Sequence, residues 1–246
     1  MKPKDFTTMK DDYSRNDRSV AATLALDAAP AGTAAPVTSE RTQRVLRNTY
    51  ALLSMTLLFS AGVAAAGVAL RWPAPGLLLS LAGMFGLLFA VHRLKNSGWA
   101  LPAVFAFTGF MGWTLAPALS QTLSLPGGAQ TITLALSATG VTFLALSAWV
   151  LATRRDFSAI GGFLFAGMVV ALVAGLAAVF LQVPALALAV SAMVALLSVG
   201  LILFETSRIV NGGETNYVLA TVGLYVSILN LFTSLLSLFG FGGGDE

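Results

Sequence analysis

Beyond Arg47 the chain alternates long apolar runs with short polar breaks. Seven runs stand out: Tyr50–Leu70, Pro75–Val91, Trp99–Leu119, Thr131–Leu151, Ala159–Leu181, Pro184–Phe204 and Tyr217–Gly240. Each is about 20 residues long, which a helix rising about 1.5 Å per residue needs to cross a hydrocarbon core of about 30 Å. The breaks carry turn chemistry, as in Trp72-Pro-Ala-Pro-Gly76, Asn96-Ser-Gly98, Pro126-Gly-Gly128, Pro184 and Gly212-Gly213. The pattern predicts an all-α membrane protein, a bundle of seven transmembrane helices spanning 41–241.

Composition supports this reading. The 246 residues are 57% hydrophobic and 10% charged, whereas a soluble domain carries about 25% charged residues. Zero cysteines and one histidine, His92, exclude disulfide frameworks, thiolate chemistry, histidine-built metal sites and a Ser-His-Asp triad within this chain. No Gly-x-Ser-x-Gly, His-Glu-x-x-His, P-loop or dinucleotide motif occurs, so the chain is not expected to be an enzyme or to hold a cofactor or metal. Residues 1–40 are polar and contain the low-complexity run Ala28-Ala-Pro-Ala-Gly-Thr-Ala-Ala-Pro36, a composition that predicts a disordered tail. Val20–Leu26 is too short an apolar run for a signal peptide. Residues 242–246 form a short second tail.

Charge sets an expected orientation. Eight of the fourteen Lys and Arg lie in the first 47 residues. Arg71 stands alone in the first loop, Arg93 and Lys95 follow in the second, Arg154 and Arg155 in the fourth, and Arg208 in the sixth; the third and fifth loops have none. This alternation puts the N-terminus in the cytoplasm and the C-terminus outside. The basic residues of the tail are mixed with six acids and no basic stripe with aromatics follows, so nucleic acid is not an expected partner. Trp72, Trp99 and Trp149 fall near helix ends, as an interfacial aromatic belt requires, whereas Trp113 does not. Small residues recur every fourth position at Ala82, Gly86 and Ala90 and again at Gly167, Ala171 and Gly175. Packing within the bundle is the favoured use of both stripes, ahead of a dimer interface.

Few residues remain to carry chemistry. Between Tyr50 and the C-terminal tail the acidic residues are Asp156, Glu205 and Glu214. Glu205 closes the sixth run with Arg208 one turn on. It reads either as a functional carboxylate at membrane depth, a candidate pH-sensing or ion-path group, or as an interfacial side chain paired with Arg208. Ser227, Asn230 and Ser234 share one face of the seventh run and suit interhelical hydrogen bonding or a polar path. Asp156 or Ser158 is expected to cap the fifth helix after the basic pair Arg154 and Arg155; Glu214 and Asn216 are expected to cap the seventh. His92 is expected to be an interfacial side chain.

Four ordered stretches carry a resemblance: Arg44-Val-Leu-Arg-Asn-Thr-Tyr-Ala-Leu-Leu-Ser54, Thr153-Arg-Arg-Asp-Phe-Ser158, Phe204-Glu-Thr-Ser-Arg-Ile-Val-Asn-Gly-Gly-Glu-Thr-Asn-Tyr217 and Leu224-Tyr-Val-Ser-Ile-Leu-Asn-Leu-Phe232. Together they resemble the bacterial YccA-like branch of the Bax inhibitor-1 family, over roughly Arg41 to Gly240. The resemblance implies a seven-helix inner-membrane protein that associates with the membrane-anchored, ATP-dependent protease FtsH and restrains it. Other branches are described as pH-sensitive calcium leaks gated by aspartates on the sixth and seventh helices. Those two positions fall on Glu205 and Ser227, so the second carboxylate is missing and a coupled pair of acids cannot form. The expected function is therefore a protease modulator without catalysis of its own. The alternative is a proton-sensitive calcium or cation leak using Glu205 and Arg208, and a weaker third reading is a scaffold for other membrane proteins.

Overall fold

A computed structural model describes residues 35–242. Seven long helices follow in order: α1 Ala35–Ala69, α2 Leu77–Leu94, α3 Ala100–Leu123, α4 Gly128–Thr153, α5 Gly161–Leu181, α6 Pro184–Val210 and α7 Tyr217–Gly242. A 3-10 turn, Ser158–Ile160, leads into α5. All seven are long and apolar enough to cross a membrane. No strand occurs among the described residues. The tail expected over 1–40 lies outside the described residues except for its last six positions, which begin α1.

The helices outrun the apolar segments at several ends. α6 continues through Glu205 and Arg208 to Val210, and α4 reaches Thr153. Hydropathy stops where charge begins, but backbone hydrogen bonding does not. Pro184 opens α6 in its first turn, where its missing N–H has no helical partner to lose. Arg71, Arg154 and Gln182, just after α1, α4 and α5, take the left-handed conformation that more often falls to glycine, with φ of 50°, 51° and 53°.

The core forms around α7. Half of its most apolar stretch is buried, against 17% for α5 and 6% for α2. α7 packs on α3, α4 and α6, while α2 lies outside against α3 and α5 outside against α6. Tyr225 pins three helices together. Its hydroxyl is 2.6 Å from Ser60 Oγ of α1 and donates to the Thr108 carbonyl of α3 at 3.3 Å, while Phe107 meets its ring edge-on. Lipid solvates the opposite faces, where Leu78, Phe89, Phe163, Phe165, Phe180 and Leu196 are each more than 70% exposed.

Close approaches use glycine. Leu197 of α6 sits over Gly167 of α5, and Leu164 of α5 sits over Gly200 of α6. The stripe Gly167, Ala171 and Gly175 thus packs inside the bundle, as expected. The stripe on α2 does not. Ala82 and Gly86 are exposed, and nothing lies within 4 Å of where a Gly86 Cβ would stand; Gly83 is the position that receives a neighbour, the Phe110 ring of α3. Regular spacing marked a face of α2, but the aromatic on α3 decides which face turns inward. Trp113 also finds its reason here: its indole N–H donates to the Pro73 carbonyl at 3.2 Å, tying α3 to the α1–α2 turn.

Basic residues collect at one end. Thr42, near the start of α1, lies beside Gly212; the α6–α7 loop bonds to the α2–α3 loop through Asn216, and α6 bonds to the α4–α5 loop through Asn211. This end carries Arg93, Lys95, Arg154, Arg155 and Arg208, and Arg71 lies at the other.

Candidate functional site

The last turns of α6 and the first of α7 assemble the charged residues. Arg208 stands between two carboxylates, with one nitrogen 3.1 Å from Glu214 Oε2 and the other 3.8 Å from Glu205 Oε2. The first is a charge-assisted hydrogen bond; the second is an ion pair too long to be one. The guanidinium also lies over the Phe204 ring, 5.4 Å from its centroid. Glu205 and Glu214 are 16% and 12% exposed and Arg208 33%, so the cation reaches solvent while both anions are largely covered.

Glu205 points at α7. A Cβ on Gly223 would come within 2.8 Å of Glu205 Cδ and 2.9 Å of Oε1, so the carboxylate occupies the space that a side chain at 223 would fill. Ser227 lies one turn deeper, and its hydroxyl donates to the Gly223 carbonyl at 3.0 Å. The structure therefore brings Glu205 to Gly223 and leaves Ser227 bonded within its own helix. Ser227 and Ser234 are buried and Asn230 half-buried, all on α7. The hydroxyls of Thr49, Tyr50, Ser147, Ser198 and Thr206 are buried without a hydrogen-bond partner among the described residues.

Side chains bind the loops of this end to each other. Asn216 Oδ1 accepts the N–H groups of Val218 at 2.9 Å and Leu219 at 3.3 Å, satisfying orphan donors at the start of α7. Its Nδ2 donates to the Lys95 carbonyl at 3.2 Å and to Asn96 Oδ1 at 2.9 Å. Glu214 Oε1 accepts the Asn216 N–H at 2.9 Å, which orients this carboxylate towards Arg208. Asn216 thus caps α7 as expected, whereas Glu214 bonds to the residue before the helix and to Arg208 and does not cap it; the span from Asn216 to the α2–α3 loop is additional.

The Arg154-Arg155-Asp156 loop is held in the same manner. Asp156 Oδ1 accepts the Ser158 N–H at 2.8 Å, the Phe157 N–H donates to Ser207 Oγ at 2.9 Å, and Asn211 Nδ2 donates to the Arg155 carbonyl at 3.4 Å. The hydrogen bond from the Ser158 backbone, joined by hydroxyls of Ser158 and Ser207, holds the Asp156 carboxyl below its usual range. Asp156 therefore fixes the turn that precedes the 3-10 segment and does not cap α5, whose N-cap position is Ile160, without a side-chain hydrogen bond; the chain inserts the Ser158–Ile160 turn between the expected cap and the helix. Arg155 lies 5.9 Å from the centroid of Trp149, a cation–π contact at the end of α4. His92 is exposed and bonded only to the Leu88 carbonyl of its own helix, at 3.0 Å, in keeping with an interfacial side chain.

Gly223, Ser207 and Asn211 did not stand out in the sequence. Glycine in an apolar helix gives no polar signal, and the partners that Ser207 finds in the α4–α5 loop, Phe157 and Asp156, lie 50 and 51 residues away.

Seven apolar spans, six of them around a buried α7, with most loop charge gathered at one end, define a multi-pass membrane protein. The family described as "Inhibitor of apoptosis-promoting Bax1" matches residues 42–244. The chain belongs to this Bax inhibitor family. It is 52% identical over 204 residues to the Modulator of FtsH protease YccA of Escherichia coli K12, covering 83% of this chain and 93% of that protein. An uncharacterized protein of Pseudomonas aeruginosa is 50% identical, with 82% and 91% covered. An uncharacterized membrane protein of Vibrio cholerae is 46% identical, with 83% and 92% covered. A relative of the first, from another Escherichia coli strain, is named an inner membrane protein, and this chain is a multi-pass protein of the same membrane.

Proposed function

We propose that this protein binds FtsH in the inner membrane and restrains its action on membrane substrates, with no catalysis of its own. The observation that carries the reading is the 52% identity to a relative named for modulating that protease, across 93% of the relative's length. The tied loops at the basic end support it. Asn216, Asn211, Ser207 and Arg208 fix the α2–α3, α4–α5 and α6–α7 segments against each other, giving a partner a preorganised surface. Thr42 of α1 lies at this same end, beside Gly212. With the basic end in the cytoplasm, the tail offers an ATP-driven protease a place to engage, and the packed bundle resists extraction.

Co-isolation with FtsH from membranes, together with slower degradation of a membrane-embedded FtsH substrate as the amount of this protein rises, is the expected result. Absence of both overturns the reading. Deleting residues 1–40 is expected to slow turnover of the protein itself while leaving co-isolation measurable; unchanged turnover removes the tail from the mechanism.

One observation favours a second reading, a proton-sensitive calcium or cation leak. Glu205 is covered inside the bundle, and unpartnered hydroxyls line its interior at Ser198, Thr206 and Tyr50. Calcium flux into liposomes across pH 5 to 8 separates the two. Flux that disappears in Glu205→Gln supports the leak, and no flux above protein-free liposomes removes it.

A further inference from the structure

Two cavities adjoin the end of α1 remote from the basic loops. One is an apolar groove of about 450 Å³ between the last turns of α1 and α3 and the first turns of α4, reaching Phe232 of α7. Its α1 wall is built of alanines, Ala61, Ala64, Ala65 and Ala69, which leave the space between helices unfilled. The other, about 520 Å³, opens where α1 turns towards α2 and is lined by Arg71, Trp72, Ser120, Gln121 and Ser124. Val68 belongs to the walls of both. Each volume falls in the range of about 300–1,000 Å³ usual for small-molecule sites.

Depth orders the chemistry of the pair. The groove begins at Ala69, Leu123 and Ala129, at the ends of their helices, and extends to Leu136, eight residues beyond the first residue of α4. That distance is about 12 Å along a helix axis. One leaflet contributes about 15 Å of hydrocarbon, half of the core. The groove is therefore about one leaflet deep, apolar throughout, and the polar cavity stands at its interfacial end. Arg71 is the one Lys or Arg in the loops of that end, since the third and fifth loops have neither.

We propose that the two cavities bind one anionic glycerophospholipid from the leaflet opposite the basic end, with an acyl chain in the alanine-walled groove and the phosphate against Arg71. A guanidinium pairs with phosphate oxygens through two parallel hydrogen bonds, and the Ser120, Gln121 and Ser124 side chains supply further polar partners for a headgroup. An acyl chain restores the contacts that the groove lining lacks when empty, and water does not, because an apolar cavity has no partners for it. A soluble phosphate compound has no use for the groove, and a lipid that only surrounds the bundle meets Arg71 without entering the groove, so filling the groove leaves it in place.

The test is native mass spectrometry of the full chain in mild detergent, titrated with dioleoyl phosphatidylglycerol, dioleoylglycerol or glycerol 3-phosphate. The wild type is expected to retain one phosphatidylglycerol, to hold dioleoylglycerol about tenfold more weakly, and to hold no glycerol 3-phosphate. Arg71→Gln, at an exposed position, is expected to weaken phosphatidylglycerol about tenfold, or about 1.4 kcal/mol, and to leave dioleoylglycerol unchanged. Ala65→Phe fills the groove and is expected to abolish retention of both lipids, with helical circular dichroism confirming the fold. Equal affinity for the two lipids, or no effect of Arg71→Gln, overturns the headgroup half of the proposal. Undiminished retention by folded Ala65→Phe overturns the groove and identifies the lipid as ordinary bilayer solvent.

Discussion

Asn216 makes two separable contributions, and two substitutions divide them. Its Oδ1 caps α7 by accepting two N–H groups, and its Nδ2 reaches Lys95 and Asn96 across the basic end. Replacing an Asn cap by Ala costs about 1 kcal/mol, whereas Ser caps nearly as well as Asn. Each cross-loop hydrogen bond contributes about 0.5–1.5 kcal/mol net. With two cross-loop bonds, Asn216→Ala is therefore expected to destabilise the protein by about 2–4 kcal/mol, and Asn216→Ser by about 1–3 kcal/mol. Unfolding titrated with dodecyl sulfate in mixed micelles measures both totals. Hydrogen exchange over residues 94–99 isolates the cross-loop part, which both variants are expected to lose equally. If Asn216→Ser leaves exchange in the α2–α3 loop at the wild-type rate, the two loops are not joined through this residue. Equal destabilisation by Ser and Ala refutes the cap.

Gly112→Ala places a Cβ against the Ser60 carbonyl oxygen of α1, a backbone atom that no side-chain rotation can move away. Overpacking of this kind costs about 1–3 kcal/mol, more if Ser60 also loses Tyr225, whereas Gly62→Ala, with open space around it, is expected to be neutral or to gain up to about 1 kcal/mol of helix propensity. Equal unfolding midpoints for the two variants contradict the close α1–α3 contact. The depressed pKa of Asp156 gives stability that is fully present above the ordinary carboxylate value of about 3.9 and is lost as pH falls through the lower folded value. Exchange at the Phe157 and Ser158 amides is expected to accelerate below that range in the wild type and to depend less on pH in Asp156→Asn; identical acid profiles refute the assignment.

Element number was legible because the length of a membrane span repeats along the chain and is long enough to average out local ambiguity. Element ends at the basic side were not. Glu205 looks like the end of the sixth run, yet α6 continues five residues further, to Val210, because backbone hydrogen bonding persists after hydropathy falls. The cap of α7 was readable from local spacing, so Asn216 took the role its position implies, whereas Asp156 did not, because a 3-10 turn stands between it and α5. What Asn216 does with its other atoms was not readable, since its partners lie 120 and 121 residues away. Rotation of a helix about its own axis was the hardest quantity to read. In α2 it depends on Phe110 meeting Gly83, and at Glu205 on the missing side chain of Gly223. The ladder of small residues at Ala82, Gly86 and Ala90 records neither.

The position of α7 at the centre has a consequence for biosynthesis. Every helix that packs on α7 precedes it in the chain, so a ribosome delivers the surrounding walls to the membrane before the element that joins them. Until then Ser60 lacks Tyr225 and the Thr108 carbonyl lacks its donor. A nascent chain stalled before Tyr217 therefore exposes polar groups to lipid that the finished protein hides. Completion of the bundle is a single late event, and truncated products differ from mature ones in chemistry as well as length, which gives membrane quality control a physical basis for telling them apart.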